Sequence, residues 1–280
     1  MCGIVGLFLK DKSLEPQLGA LLTDMLVTMT DRGPDSAGIA IYSEDREGFA
    51  KLTVQMNDPA GFEGLGDEMS KALGTDVSVE VKDTHAVIEL AEDKLDEART
   101  ALAELCPEAR IMSQGEVIEI YKEVGLPAGH TRMATESAVT TLGAHPFSTG
   151  ADQCLVHNGS LSNHNSLRRK LAREGVKVNT LNDTEVAAAY LTWKMQQGKS
   201  LGDALEASLE DLDGFFNFVV GTKDGFGVVR DPISCKPAVM AETDQYVAFG
   251  SEYRALVNLP GIEDARVWEP EPATVYFWKH

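Results

Sequence analysis

The sequence predicts a layered α+β fold, in which helices pack on the faces of strands. Two groups of apolar strand-like segments alternate with two groups of helical patterns along the 280 residues. Such an alternation is typical of layered packing around a shared core. The length is sufficient for one large domain, or for one domain that carries an insertion.

The first fifty residues predict a strand, a helix and a second strand. Residues 1–9 (MCGIVGLFL) form a continuous apolar run that is typical of a buried strand. Apolar side chains at helical spacing follow over residues 14–30. Gly33 and Pro34 end this helix, and residues 37–42 predict another strand.

The segment from about residue 51 to 115 differs in character and predicts a small α/β insertion. Twelve acidic and four basic residues between positions 67 and 108 give this stretch a net charge of −8. Residues 77–81 and 86–90 predict strands, and residues 93–106 predict an amphipathic helix capped by Asp93. The acidic surface is either a solvated face or a docking surface, and the sequence leaves both open.

The second half predicts three helices followed by a series of short strands. Helical patterns cover residues 163–174, 184–196 and 201–212, and Asp183 is a candidate N-cap for the second. Short apolar segments separated by polar turns then predict hairpin-linked strands, at 215–221, 225–229, 238–242, 246–251 and 274–278.

Charge and cysteine content exclude several classes of function. The formal net charge of −19 opposes non-specific binding to nucleic acid or to an anionic membrane. The four cysteines (Cys2, Cys106, Cys154 and Cys235) lack metal-ligand or disulfide spacing, so we expect reduced thiols in the cytoplasm and no metal site. No apolar run is long enough to span a membrane, and the N-terminus does not resemble a signal peptide.

Cys2 is the candidate nucleophile. Removal of Met1 would leave a thiol and a free α-amino group on the first residue, and the amine could act as general base for the thiol. Their ordinary pKa values lie close together, at roughly 8 and 8.5. The alternative for a single cysteine near a terminus is a small buried apolar side chain.

Four further segments contain candidate functional residues, each with a structural alternative. Residues 32–36 (RGPDS) are a tight turn on the simplest interpretation. Arg132 could pair with a ligand carboxylate or with an internal acid. Asn158 and Gly159 could form a type I′ hairpin turn, or could supply two donors to an oxyanion. Asp183 could cap a helix or face an ammonium group.

Histidines have structural interpretations as well. His130 and His157 lie within strand-like segments and are interpreted as buried groups with internal partners. His145 precedes a proline and is more readily a structural or supporting group than a catalytic one.

In this order and spacing the segments resemble the glutaminase domain of the class II glutamine amidotransferases, which are N-terminal-nucleophile hydrolases. The segments are residues 2–6 (CGIVG), 32–36 (RGPDS), 129–135 (GHTRMAT), 144–147 (AHPF), 156–161 (VHNGSL), 181–185 (LNDTE), 230–232 (RDP) and 250–252 (GSE). The resemblance covers residues 1–50 and 116–280. It implies one amidotransferase domain over residues 1–280, folded as a four-layer αββα sandwich with two antiparallel sheets between helical layers and an acidic insertion at about 51–115.

The resemblance also implies a role for each matched residue. The Cys2 thiolate attacks the glutamine side-chain amide, while Asn158 and Gly159 hold the tetrahedral oxyanion. Arg132 pairs with the α-carboxylate and Asp183 with the α-amino group. Thr135 and His145 match further substrate-contact positions, and Arg32 and Asp35 match a segment that supports the nucleophile. Met133 and Glu136 depart from the pattern of the members that aminate sugar phosphates.

No residues remain for an acceptor domain, so the released ammonia would pass to another polypeptide. Residues 1–19 and 30–43 are similar to the stand-alone amidotransferase-like subunit of N-methylglutamate synthase and related glutamate-synthase-like complexes. That similarity implies partner subunits that carry flavin (FMN) and iron–sulfur centres, with no cofactor in this chain. Two alternatives remain: a catalytically silent subunit that binds an amino acid, and a hydrolase of another γ-glutamyl amide.

Overall fold

The computed structural model describes residues 2–124, 131–132 and 140–279, with the backbone alone at positions 34, 131 and 132. Its α-helices are α1 Leu18–Thr28, α2 Leu65–Leu73, α3 Leu95–Leu105, α4 His164–Arg173, α5 Asp183–Gln196 and α6 Leu201–Asp211. Its strands are β1 Val5–Leu9, β2 Gly33–Pro34, β3 Ser36–Tyr42, β4 Phe49–Gln55, β5 Ser78–Lys82, β6 His85–Ala91, β7 Arg110–Gly115, β8 Ile118–Val124, β9 Thr131–Arg132, β10 Gln153–Leu161, β11 Gly214–Thr222, β12 Gly225–Arg230, β13 Val239–Glu242, β14 Tyr246–Gly250, β15 Arg266–Trp268 and β16 Thr274–Lys279.

These strands form four sheets of four strands each among the described residues. Sheet I has the order β1-β14-β13-β15, and sheet II has the order β10-β11-β12-β16. Sheet III has the order β2-β9-β3-β8, and sheet IV has the order β5-β6-β4-β7. Strand neighbours are antiparallel, except that β2 and β9 are parallel.

Sheets I and II pack face to face and form the centre of the sandwich. Ile4 and Phe8 on the β1 side contact a cluster that includes Val219, Val228 and Phe249. Alternation along a strand sends successive side chains to opposite faces, so only every second residue of β11 enters this layer. Phe216, Phe218 and Val220 therefore point to the other face.

Helices cover the outer faces of sheets I and II, which completes the four layers. Met25 of α1 packs on Tyr246 and Ala248 of sheet I. On the opposite side Tyr190 of α5 and Leu205 of α6 belong to the same buried cluster as the outward side chains of β11. The layer order is helix, sheet, sheet, helix, and the αββα sandwich expected from the sequence is confirmed.

Residues 49–115 build sheet IV and the two helices that cover it, with a separate hydrophobic core. Leu52, Met69, Ile88 and Leu102 are fully or almost fully buried in one cluster. The predicted strands at 77–81 and 86–90 correspond to β5 and β6, and the predicted helix corresponds to α3. The sequence reasoning missed α2, β4 and β7 within this unit.

Two capping predictions are wrong. Asp93 lies in a short 3-10 turn at Glu92–Lys94, and Lys94 is the N-cap of α3, without a side-chain cap. Asp183 is the first residue of α5, and Asn182 is the N-cap, whose side chain accepts a hydrogen bond from the Thr184 N–H at 2.8 Å. In both cases the observed N-cap lies one residue away from the predicted one.

No helix in residues 2–124 or 140–279 is both long enough and apolar enough to cross a lipid bilayer.

Candidate functional site

The N-terminal segment is held at the end of the sheet I ladder. β1 pairs with β14 from Val5↔Gly250 onward, and the contact continues one residue further at Ile4 and Ser251. The Ile4 N–H donates to the Ser251 hydroxyl at 3.0 Å, and the Ser251 N–H donates to the Ile4 carbonyl at 3.0 Å. Cys2 therefore lies two residues beyond a fixed point of the sandwich.

Arg32 connects Cys2 to the C-terminal strands. Its Nε donates to the Cys2 carbonyl oxygen at 3.2 Å, and its Nη1 forms an ion pair with Glu252. Glu252 also pairs with Arg254 Nε at 2.6 Å. Hydrogen bonding to Arg32 is the main reason that the pKa of Glu252 lies below its ordinary value. The guanidinium thus holds the backbone of the candidate nucleophile in place.

Asn158 contacts Cys2 from the facing sheet. It lies in β10, where Leu155 and Leu161 face the helical layer and Val156 faces sheet I. Alternation places Asn158 on the same face as Val156, and its side chain is only 2% exposed. Its Nδ2 donates to the Cys2 carbonyl oxygen at 3.2 Å. An amide nitrogen carries two hydrogens, so one N–H remains for another acceptor.

Gly159 lies inside β10, opposite Phe216 of β11. A Cβ added at this position would lie 1.9 Å from the Phe215 carbonyl oxygen and 2.7 Å from the nearest ring nitrogen of His157. Only glycine fits there, because the closest obstacle is backbone. The alternative of a type I′ hairpin turn at Asn158 and Gly159 is therefore wrong, since both residues belong to a paired strand.

Asp183 lies next to the end of β10, at the start of α5. Its Oδ2 accepts a hydrogen bond from the Leu161 N–H at 2.9 Å, and its Oδ1 is 3.7 Å from His157 Nδ1. The side chain is about one-tenth exposed. Since Leu161 follows Gly159 by two residues, the candidate ammonium-binding carboxylate and the candidate oxyanion donors belong to one neighbourhood.

His145 and His157 meet at one hydroxyl group. His145 Nε2 is 2.8 Å from the Thr184 Oγ1, and His157 Nδ1 is 3.0 Å from the same atom. His157 is buried and also contacts the Phe218 ring edge-on. The interpretation of His157 as a buried group with internal partners is confirmed. His145 contacts Thr184, which follows Asp183 in α5.

Other predicted site residues are described partly or not at all. The backbone of Arg132 pairs with that of Pro34 and Ser36, next to Arg32 and Asp35, but its side chain lies outside the described residues. Thr135, like His130, Met133 and Glu136, also lies outside them. Asp35 is half-buried.

The described residues contain no group of three His, Cys, Asp or Glu side chains that could hold a metal ion. A cavity of about 770 Å³ lies beside β1, α1 and β3, with Leu22, Leu26 and Ile39 among its walls, but Cys2 does not line it. The cavity and the Cys2 neighbourhood are thus separate features of the fold.

Sequence reasoning missed two polar residues near the site. Asn217 is buried opposite Asn158 on β11 and donates to the carbonyl oxygens of Lys236 and Pro237 at 3.2 and 3.1 Å. Thr184 had no assigned role, although it follows Asp183 directly. A hydroxyl side chain directly after a candidate binding carboxylate is a signal that the sequence itself contains.

Comparison with known proteins shows which family the chain belongs to. A family model described as a glutamine amidotransferase domain matches residues 130–258. The glutamine amidotransferase-like protein GlxB of Rhizobium meliloti (strain 1021) is 66% identical over 298 aligned positions, which cover 100% of this chain and 99% of that protein. The chain belongs to the glutamine amidotransferase family. A putative glutamine amidotransferase of Methanothermobacter thermautotrophicus is 31% identical, with 99% of both chains covered.

A solved structure supports the fold of this amidotransferase. Glutamine phosphoribosylpyrophosphate amidotransferase from B. subtilis, complexed with ADP and GMP, superposes with a TM-score of 0.52 at 19% sequence identity. The match covers 99% of this chain and 47% of that protein, so this chain spans about half the length of that relative. At this identity the likeness shows a shared fold and no more.

Proposed function

We propose that this amidotransferase hydrolyses glutamine through Cys2 and passes the ammonia to a partner subunit of N-methylglutamate synthase or a glutamate-synthase-like complex. The observation that carries the proposal is the hydrogen bond between Asn158 Nδ2 and the Cys2 carbonyl oxygen at 3.2 Å. It brings the candidate nucleophile and a candidate oxyanion donor together from opposite sheets.

The chemistry begins with removal of Met1, which frees the α-amino group of Cys2. This amine takes the thiol proton, and the thiolate attacks the amide carbon of the glutamine side chain. The second N–H of Asn158 and the backbone N–H of Gly159 stabilise the oxyanion. The ammonium group returns its proton to the departing nitrogen, ammonia leaves, and water hydrolyses the γ-glutamyl thioester to glutamate.

Recognition of glutamine as a free amino acid requires one protein group for each of the two charged groups on its α-carbon. Asp183 would accept from the α-ammonium group, and Arg132 would pair with the α-carboxylate in bidentate fashion. Thr135 and His145 would make further contacts. Arg32 supports the nucleophile indirectly, because it donates to the Cys2 carbonyl while its charge is balanced by Glu252.

The partner chains would supply the redox chemistry of the complex. We propose that they are glutamate-synthase-like subunits that carry FMN and iron–sulfur clusters, and that the complex works in the cytoplasm. The net charge of −19 favours a partner surface with basic residues over nucleic acid.

Isolation of the complex through a C-terminal tag on this chain tests both parts of the proposal. We expect partner chains with flavin and iron–sulfur absorbance to co-purify, and the intact mass of this chain to lack Met1. Glutamate release from glutamine should stop in Cys2→Ala and persist in Cys235→Ala, whose thiol is exposed on the surface. Unchanged hydrolysis in Cys2→Ala would refute the mechanism.

The same preparation separates the two alternatives. A catalytically silent subunit would retain Met1 and release no glutamate, although it could bind glutamine in a calorimeter. A hydrolase of another γ-glutamyl amide would process γ-glutamylmethylamide faster than glutamine. Our proposal predicts the opposite order of rates.

A further inference from the structure

The hydroxyl of Thr184 is a junction between three polar side chains. Thr184 is the second residue of α5 and is 1% exposed. Its Oγ1 is 2.8 Å from His145 Nε2, 3.0 Å from His157 Nδ1 and 3.4 Å from Asp183 Oδ1. These three partners come from the loop before β10, from β10 itself and from the preceding residue of the helix. A single oxygen atom therefore joins three parts of the fold.

Counting protons shows how one hydroxyl can satisfy all three partners. A threonine hydroxyl donates one hydrogen bond and can accept two, whereas an ionised carboxylate can only accept. The arrangement that uses every contact has the hydroxyl proton directed to Asp183 Oδ1. His145 Nε2–H and His157 Nδ1–H then both donate to the hydroxyl oxygen. For an imidazole that carries a single N–H, this arrangement fixes which ring nitrogen holds it.

The position of Thr184 is itself fixed by the helix cap. The Thr184 N–H donates to the Asn182 side chain at 2.8 Å, which anchors the first turn of α5. The Leu161 N–H anchors Asp183 Oδ2 at 2.9 Å. His157 Nδ1, at 3.7 Å from Asp183 Oδ1, is too far for a good direct hydrogen bond. Of these two groups, only the hydroxyl lies within hydrogen-bonding distance of the second carboxylate oxygen, at 3.4 Å.

We infer, on the basis of the proposed function, that Thr184 is a positioning residue for the α-amino end of glutamine. Its hydroxyl holds Asp183 Oδ1 and His145 in the orientation that receives the ammonium group. A carboxylate offers about four acceptor sites, and the Leu161 N–H and the Thr184 hydroxyl use two of them. The remaining sites can accept from the ligand. Thr184 therefore sets affinity for the amino end and does not act on the reacting amide.

Thr192 provides a matched control on the same helix. It is also buried, and its hydroxyl contacts Gln153 Oε1 at 3.0 Å, Thr149 Oγ1 at 2.8 Å and the Ala188 carbonyl at 3.1 Å. Thr184→Val and Thr192→Val each replace a buried hydroxyl by a methyl group of similar size. General damage to α5 should affect both variants, whereas loss of the junction affects only the first.

The test measures ligand binding by calorimetry in the full-length chain with Cys2→Ala, so that hydrolysis does not interfere. The probes are L-glutamine and 4-carbamoylbutanoate, which has the same amide and carboxylate but no α-amino group. We expect Thr184→Val to weaken glutamine binding about tenfold or more, as the loss of one hydrogen bond to a charged group does. Thr184→Ser should restore most of the affinity, and Thr192→Val should change it less than about threefold.

Binding of 4-carbamoylbutanoate should not change in Thr184→Val. An equal loss of affinity for both probes, or an equal loss in Thr192→Val, would overturn the inference. Failure of the proposed function has a different signature. In that case the variants with Cys2 intact would have the same order of affinities for glutamine but would release no glutamate. Absence of glutamine binding in every variant would overturn both.

Discussion

The side-chain amide of Asn158 donates a hydrogen bond to the carbonyl oxygen of Cys2 at 3.2 Å, across 156 positions of the chain. Two sheets meet at this contact, since Cys2 leads into β1 of sheet I and Asn158 lies in β10 of sheet II. The contact occupies one of two amide hydrogens on Asn158 and leaves the other available. The fold thus places the candidate oxyanion donor beside the candidate nucleophile.

Asn158→Ala should lower kcat for glutamine by about a hundredfold to a thousandfold, as the removal of one oxyanion donor does in other hydrolases. KM should change little, because the donor acts mainly on the transition state. Steady-state glutamate release by the assembled complex checks this. A large rise in KM with kcat unchanged would instead identify Asn158 as a ground-state binding residue.

Glu252→Gln should lower the free energy of unfolding at neutral pH and leave it unchanged in acid. The pKa of Glu252 is lowered chiefly by its hydrogen bond to Arg32. A lowered pKa in the folded state stabilises the protein fully above the ordinary value of 4.5. This contribution disappears as the pH falls further through the lowered value. Urea unfolding from pH 7 to pH 3 should show the wild-type advantage shrinking below about 4.5.

Glu263→Gln is the control for that substitution, since Glu263 is an exposed glutamate outside this ion pair. It removes one carboxylate but keeps the Arg32 ion pair, so the difference between the two variants isolates the contribution of that pair. If the free energies of unfolding of wild type and Glu252→Gln differed by the same amount at every pH, the ionisation of Glu252 would not contribute to stability.

Gly159→Ala should destabilise the fold by about 3 kcal/mol or more, because its Cβ would lie 1.9 Å from the Phe215 carbonyl oxygen and backbone cannot move aside cheaply. Gly19→Ala is the matched control. Gly19 lies in α1 with no atom within 4 Å of an added Cβ, so alanine should stabilise by about 0.5–1 kcal/mol. Thermal unfolding of both variants decides this. Equal stability of the two would mean that the strands separate at Gly159 without cost.

Ile88→Ala should destabilise the residue 49–115 unit without altering catalysis. Ile88 is fully buried in the core beneath α2 and α3, and truncation of such a side chain costs about 2–5 kcal/mol. Hydrogen exchange should rise in β4, β5 and β6, while kcat and KM for glutamine stay within about twofold. A parallel loss of activity would connect this unit to the Cys2 site.

Much of the fold was predictable because its signals are local. The apolar run at residues 1–9 and the helical spacing at 184–196 were placed correctly as β1 and α5. Strand β15 was missed, since Arg266–Trp268 spans three residues with exposed side chains at its first two. The helix α2 was missed because it has only nine residues and its apolar residues Leu65, Met69 and Leu73 form one short stripe.

The site was predictable in its residue types and less so in its contacts. The segment containing Asn158 and Gly159 suggested either a turn or an oxyanion site, and only pairing with β11 excludes the turn. The contacts of Arg32 with the Cys2 carbonyl and with Glu252 join residues 30 and 220 positions apart. Such contacts depend on tertiary packing, which no local pattern encodes. The junction at Thr184 has the same origin.

Covalent labelling of Cys2 tests the central claim most directly. The reagent is a glutamine analogue whose side-chain amide is replaced by a diazomethyl ketone, and the readout is mass spectrometry of proteolytic peptides. We predict one label on the sulfur of Cys2 in a peptide that begins at Cys2, protection by excess glutamine, and loss of labelling in Asp183→Asn. Labelling confined to the exposed Cys235, or a labelled peptide that still begins with Met1, would contradict it.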